Sequence, residues 1–323
     1  MRVYIPEISN SDSMDHLLKR VPKEVEITAG SPPPDDYDML VCGRPGRELL
    51  EAASLRWFVV PWAGLPAATR QLLPEFEHLS VHNLHHNAPA AAEIAMALLL
   101  AASKKLVPAD RSLREGDWSI RYAPENALLL SQSRVLVVGM GEIGLRVARA
   151  CRALEAETVG LARRVVANER RDDIPVFASS ELESQLELAD AVVLCVPLTD
   201  ETRGMIGERQ LDLMGLRSIL VNVGRGALVL EEPLYRALSR KRIGAAGIDV
   251  WYRYPSDSSS RKNTQPSEFP FSELENVVMS PHRGGAMNVS ELEGRRMDAL
   301  AKLISAAAKG LAVPHRVDVK AGY

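Results

Sequence analysis

Short apolar runs alternate along this chain with stretches of helical periodicity, in two successive series. That alternation restricts it to parallel sheet with helices on the crossovers. The first series holds Arg2 to Ile5, Val25 to Thr28, Met39 to Cys42 and Trp57 to Val60. The second opens at Arg134 with RVLVVG, then TVGL at 158–161, DAVVLCV at 190–196, SILVNV at 218–223 and IGAAGIDV at 243–250, with a helix from Glu142. Between them Pro89 to Lys105 predicts a long helix, with proline in its first turn and Lys104 and Lys105 complementing the macrodipole in its last. The 323 residues suffice for two domains at about 150 each. The expected fold is therefore α/β, with two doubly wound parallel-sheet domains. A Pro- and Ser-rich stretch from Tyr252 to Phe271 reads as a long surface loop, and a last helix over 290–309 carries apolar Leu292, Met297, Leu300, Leu303 and Ile304. No internal repeat is present.

Composition removes several function classes. Hydrophobic residues make up 46% and charged residues 25%, as in ordinary folded chains, and the net charge is -3. No stretch interleaves Lys and Arg with aromatics, so no nucleic-acid partner is expected. Cys42, Cys151 and Cys195 are far apart and form no C-x-x-C pair, which predicts neither a disulfide framework nor a zinc site. The most apolar stretch, Ala88 to Ala102, carries Glu93 and is shorter than the roughly 20 residues that cross a bilayer. With a strand-like RVYI in place of a signal peptide, a cytoplasmic protein without membrane contact is expected.

Gly139-Met140-Gly141-Glu142-Ile143-Gly144 follows an apolar strand and opens a helix, the context in which G-x-G-x-x-G marks a dinucleotide site. Gly139 permits the turn, Gly141 lets a pyrophosphate approach the backbone at the helix amino end, and Gly144 lets helix and strand pack closely. NAD-binding versions place a carboxylate about 20 residues onward, on the ribose hydroxyls. Here the stretch reads Val159-Gly160-Leu161-Ala162-Arg163-Arg164, with two guanidiniums where a 2′-phosphate would sit. NADP(H) is favoured and NAD(H) remains open; the plain alternative is that Arg163 and Arg164 are solvated surface charges.

Asn222-Val223-Gly224-Arg225-Gly226 lies just past an apolar strand, where doubly wound sheets bind ligands, and a guanidinium there can take a carboxylate bidentately. Ser280-Pro281-His282-Arg283-Gly284-Gly285 follows the strand-like Asn276 to Met279, which makes His282 a candidate proton donor to a carbonyl oxygen. Either alone reads as structural; together, after a dinucleotide motif, they suggest hydride chemistry.

The glycine motif, Cys195 to Gly204 (CVPLTDETRG), Asn222 to Leu228, Gly247-Ile248-Asp249-Val250 and Ser280 to Gly285 resemble, in order and spacing, the D-isomer-specific 2-hydroxyacid dehydrogenases. The likeness extends to Ala63-Gly64-Leu65, Asn87 to Glu93 and Leu113 to Trp118. It implies a Rossmann cofactor domain, 96–285, inserted into a flavodoxin-like substrate domain of 1–95 plus 286–323. It also implies that Arg225 binds the carboxylate and carbonyl of a small 2-oxo or 2-hydroxy acid, that His282 is the acid/base, and that Asp249 orients the nicotinamide carboxamide. Amides at Ala63, Gly64 and Leu65 would help hold the carboxylate; Val196, Pro197, Thr202 and Val223 would line the dinucleotide. A homodimer is the family expectation.

One position departs from the pattern. The family has Asp-Val-aromatic, two residues, then Glu-Pro, its glutamate pairing with the histidine; this chain reads Asp249-Val250-Trp251-Tyr252-Arg253-Tyr254-Pro255. A neutral phenol cannot stabilise an imidazolium as a carboxylate does. Three readings stay open: Tyr254 only orients His282, Glu268 of the long loop replaces the carboxylate, or the chain is a poor catalyst and senses dinucleotide instead. Tyr254 could also simply pack on Pro255. A formate-dehydrogenase-like enzyme would carry Gln-Pro at this place, and Gln265-Pro266 lies too far along to match. His82, His85 and His86 read as polar loop groups, since no Cys or spaced carboxylate completes a metal set. Trp62 reads either as a pocket wall or as core.

Overall fold

The structure, a computed structural model, describes residues 1–8, 10–122, 127–285 and 290–322. It divides into two compact units, Met1–Asn87 with Ala286–Tyr323, and Ala88–Gly285.

The first unit is built on five parallel strands: β1 (Arg2–Ile5), β2 (Glu26–Ala29), β3 (Met39–Val41), β4 (Trp57–Val60) and β5 (Ser80–Asn83), in the order β2-β1-β3-β4-β5. Both faces are covered, so inward and outward residues are equally apolar. Val3, Ile5, Met39, Val41 and Val59 enter one cluster with Leu17. Tyr4, Leu40, Phe58 and Val60 enter the other. Met297, Leu300, Leu303 and Ile304 of the helix Ser290–Ala308 complete the first cluster, so that helix belongs to this sheet.

The second unit has eight strands. These are β6 (Arg134–Val138), β7 (Glu157–Ala162), β8 (Arg170–Arg171), β9 (Ile174–Ala178), β10 (Ala191–Leu194), β11 (Ile219–Asn222), β12 (Ala245–Ile248) and β13 (Val277–Met279). Their order is β13-β12-β11-β10-β6-β7-β9-β8, all parallel except the β8–β9 pair. The chain winds outward from β6 through β7 to β9, then returns to pair β10 with β6, and doubly wound sheets bind ligands at the carboxyl ends of such a central pair. Register then does something specific. Val138 pairs with Leu194, Leu194 with Asn222, Asn222 with Ile248 and Ile248 with Met279. Gly139, Cys195, Val223, Asp249 and Ser280 therefore leave the sheet in one row, along one edge.

Differences from the expected elements have local causes. The helix predicted to reach Lys105 spans Ala88–Ser103, because Lys105 takes left-handed backbone (φ 50°) and a new helix starts at Leu106. Lys104 caps no helix; its ammonium donates to the Leu128 carbonyl at 2.7 Å. The expected boundary at 95/96 falls inside that helix, which belongs whole to the second unit. His82 is not a loop residue. It is buried on β5, its ring held between Ser80 Oγ (2.9 Å) and the Pro314 carbonyl (2.8 Å). Trp62 is 36% exposed and lies over Gly43, where a Cβ would meet its ring at 1.9 Å.

Candidate active site

The glycine turn joins β6 to the helix Glu142–Ala153. Gly139 has φ +98°, and a Cβ there would come within 2.7 Å of Val196 Cγ1 and 2.9 Å of the Cys195 carbonyl oxygen. At Gly144 a Cβ would come within 1.8 Å of the Gly139 carbonyl oxygen, so the helix can sit this close only without a side chain. Gly141, the N-cap, differs: nothing lies within 4 Å of its Cβ position and no side chain caps the helix. Open space at the N-cap, at the positive end of a helix, suits a pyrophosphate. These residues thus fit a dinucleotide.

Beyond β7, Arg163 and Arg164 are exposed in the loop where an adenosine ribose would be reached. Past β10, the Thr202 hydroxyl is committed within its own loop, donating to the Pro197 carbonyl (2.7 Å) and accepting from the Thr199 amide (2.8 Å). It shapes the Val196–Pro197 wall.

Past β11, Asn222 braces the next turn, its Nδ2 donating to the Arg225 carbonyl (2.9 Å) and its Oδ1 accepting from the Gly224 amide (3.1 Å). Gly226 is required there because a Cβ would strike the Trp251 carbonyl oxygen at 2.4 Å. Arg225 is exposed, one nitrogen on the Gly224 carbonyl at 2.7 Å.

Past β12, Asp249 is buried and ties down the segment that carries the histidine. Its carboxylate accepts from Ser280 Oγ (2.5 Å), the Arg283 amide (2.7 Å) and the Gly284 amide (2.8 Å). Trp251 Nε1 adds a bond to the Ser280 carbonyl (2.8 Å). Between these anchors His282 adopts φ +57°, in the left-handed region that few non-glycine residues occupy. Partial burial and then the Arg225 guanidinium lower the His282 pKa, with Asp249 opposing. Tyr254 joins the same group: its ring centroid is 5.5 Å from that of His282, and its hydroxyl accepts from the Trp251 amide at 3.0 Å. Burial, first, raises its pKa, so the phenol stays protonated at neutral pH.

The structure therefore brings Arg225, Asp249, Tyr254 and His282 together at one edge of one sheet. Glu268 does not join them. Its carboxylate is held by Arg253 on the exposed side of the long loop, and its amide donates to Glu231. That loop is irregular yet anchored, with the Tyr252 and Arg253 amides both on the Pro266 carbonyl. Ala63, Gly64 and Leu65 lie in the first unit past β4, where the Ala63 carbonyl accepts from Asn83 Nδ2 at 2.7 Å. Among the described residues no group of three His, Cys, Asp or Glu could hold a metal ion, and no helix is long and apolar enough to cross a membrane. Sequence reasoning missed Arg171 and Glu169, which bridge the glycine turn to the Arg163 loop; Arg171 sits in a two-residue strand, too short to register as a pattern, and Glu169 just before it.

A doubly wound sheet with an open glycine turn and a cation–imidazole pair on the same edge defines a dinucleotide-binding oxidoreductase scaffold. The sequence pattern of the NAD binding domain of D-isomer specific 2-hydroxyacid dehydrogenases matches residues 96–284, and the chain belongs to that family. A glyoxylate reductase of Korarchaeum cryptofilum is 38% identical over 70% of this chain and 65% of its own length. A D-3-phosphoglycerate dehydrogenase of Archaeoglobus fulgidus is 29% identical over 97% of this chain but only 55% of its own. The chain thus spans under two thirds of these relatives. The dehydrogenase efuE of Hormonema carpetanum is 30% identical over 89% of this chain and 70% of its own length. In fold, a D-isomer specific 2-hydroxyacid dehydrogenase from Xanthobacter autotrophicus Py2, solved with NADPH and MES, superposes with TM-score 0.82 at 20% identity, covering 100% of this chain and 99% of that one. A glyoxylate/hydroxypyruvate reductase from Sinorhizobium meliloti, solved with NADP and sulfate, gives 0.79 at 20% identity over 100% and 99%.

Proposed function

We propose that this protein is an NADPH-preferring reductase of a small 2-oxo acid such as glyoxylate or hydroxypyruvate, yielding the 2-hydroxy acid. The observation that carries this reading is the single row in which the glycine turn, Arg225, Asp249 and His282 leave the sheet. A nicotinamide dinucleotide, when bound, supplies the hydride. The protein's own task is then to hold a planar 2-oxo acid and to protonate the oxygen that becomes an alkoxide. Arg225 takes the carboxylate and carbonyl by its guanidinium, which orients the acid and stabilises the developing charge. His282 as imidazolium donates its proton to that oxygen. Asp249 keeps the histidine segment in place.

NADPH preference is supported by Arg163 and Arg164, where NAD-binding chains place a carboxylate. Charge-assisted bonds of about 1.5–3 kcal/mol predict that Arg163→Ala weakens NADPH by roughly tenfold to a hundredfold, read by titrating both cofactors. Equal affinity of the unaltered chain for NADPH and NADH would end this part of the reading. A cytoplasmic homodimer completes it: the helix Leu106–Arg114 has no buried residue, and Leu106, Leu113 and Trp118 stand exposed, which supports a partner copy.

The second reading is a dinucleotide sensor of weak activity, favoured by Tyr254 where the family's glutamate would be. Turnover of a panel of 2-oxo acids with NADPH and NADH side by side decides. Absence of turnover on every acid, with dinucleotide still bound, would favour the sensor.

A further inference from the structure

Arg171 stands outside every motif, in the short antiparallel pair β8–β9 at the sheet's edge. Its guanidinium nevertheless spans two parts of the cofactor site. One nitrogen donates to the carbonyl of Met140, the central residue of the glycine turn, at 2.9 Å, and another reaches the Arg164 carbonyl at 3.5 Å. The third, Nε, is fixed by Glu169 Oε1 at 2.7 Å, and the other oxygen of that carboxylate accepts from the Val166 amide at 3.0 Å. Hydrogen bonding to the Val166 amide and to Arg171 holds the Glu169 carboxyl below its ordinary pKa, so the clip stays ionised at neutral pH.

We infer that Arg171 and Glu169 are positioning residues for dinucleotide selectivity, fixing the loop of Arg163 and Arg164 at a set distance from the pyrophosphate turn. The inference rests on the NADPH preference proposed above. A 2′-phosphate and a pyrophosphate belong to one rigid ligand end, so the loop gains from its two guanidiniums only if they wait at the right separation from the turn. An unpositioned loop must be ordered on binding, a cost that falls on NADPH and spares NADH, which has no 2′-phosphate to reach. The Met140 carbonyl is a suitable anchor because Met140 is buried, its side chain lying over Gly160, where a Cβ would come within 2.4 Å of it.

The test is direct titration of the purified full chain with NADPH and with NADH, by fluorescence and without substrate, for Arg171→Met and Glu169→Gln. The second variant keeps the arginine charge and removes only the ionic clip. Both are expected to lower the NADPH-to-NADH affinity ratio by about tenfold, the equivalent of ~1.4 kcal/mol, through loss of NADPH affinity. A fall in Arg171→Met alone would mean that the guanidinium acts as a bare charge, and would overturn the positioning role. An equal loss of both cofactors, or an unchanged ratio, would overturn it as well. Should Arg171→Met fail to fold, Arg171→Lys carries the same test, since an ammonium keeps the charge but cannot span all three partners. Lack of NADPH preference in the unaltered chain would instead remove the underlying reading, and is seen before any variant is made.

Discussion

In the proposed reaction, the side chain at position 254 would bear on the pH at which the site works, because its ring lies 5.5 Å from that of His282. Reduction in that scheme needs a protonated His282, whose pKa partial burial and Arg225 lower from the usual 6.5. Reductive turnover should therefore fall as pH rises through a value below 6.5. Tyr254→Glu places a carboxylate beside the imidazole and should move that fall upward by about one unit or more, seen in a pH profile of kcat. A profile unmoved by the substitution would mean that His282 does not supply the proton. Arg225→Ala and His282→Ala should each lower turnover by about 10²–10⁴ while dinucleotide titration stays nearly unchanged; near-normal turnover removes that residue from the chemistry. Arg225 and His282 were legible because each sits three positions past a strand in a short loop that also holds glycine. What could not be read was who partners His282: Glu268 is sequence-near and chemically apt, but Arg253 claims it.

At the scale of elements, the buried carboxylate of Asp249 holds three donors of the segment 280–284. Removing it in Asp249→Ala leaves buried amides unpaired at about 1–3 kcal/mol each, and lets His282 relax from its left-handed backbone. A lower denaturation midpoint together with a fall in kcat larger than that in cofactor affinity is expected. A thermal midpoint equal to that of the unaltered chain would show that the segment holds itself. The strands were legible almost to the residue wherever four or more apolar side chains ran together, as in β6, β10 and β11. They were not where burial is one-sided or pairing local. β5 carries His82 and Asn83, whose polar groups find partners only once the fold exists, and β8 is two arginines. Helix ends were missed for a similar reason, since nothing near Lys105 announces a positive φ.

For the whole molecule, three histidines push stability in one direction. Burial lowers the pKa of His82 and His282, and lowers that of His86 to about 4. Each binds a proton more readily in the unfolded chain than in the fold, so their contribution is fully present above about 6.5 and is lost as pH falls below it, for His86 down to about 4. Thermal midpoints should drop between pH 7 and pH 4.5, and His86→Gln should flatten part of that slope. A midpoint independent of pH across this window would contradict the burial of these rings.

The helix Ser290–Ala308 closes one face of a sheet whose strands all precede residue 84. During synthesis the ribosome therefore releases Val3, Ile5, Met39 and Val59 long before their cover exists, and makes the whole of Ala88–Gly285 in between. The nascent amino-terminal half must wait with an oily surface uncovered, so chaperone dependence and truncation-induced aggregation should concentrate there, while the later-made half can mature alone.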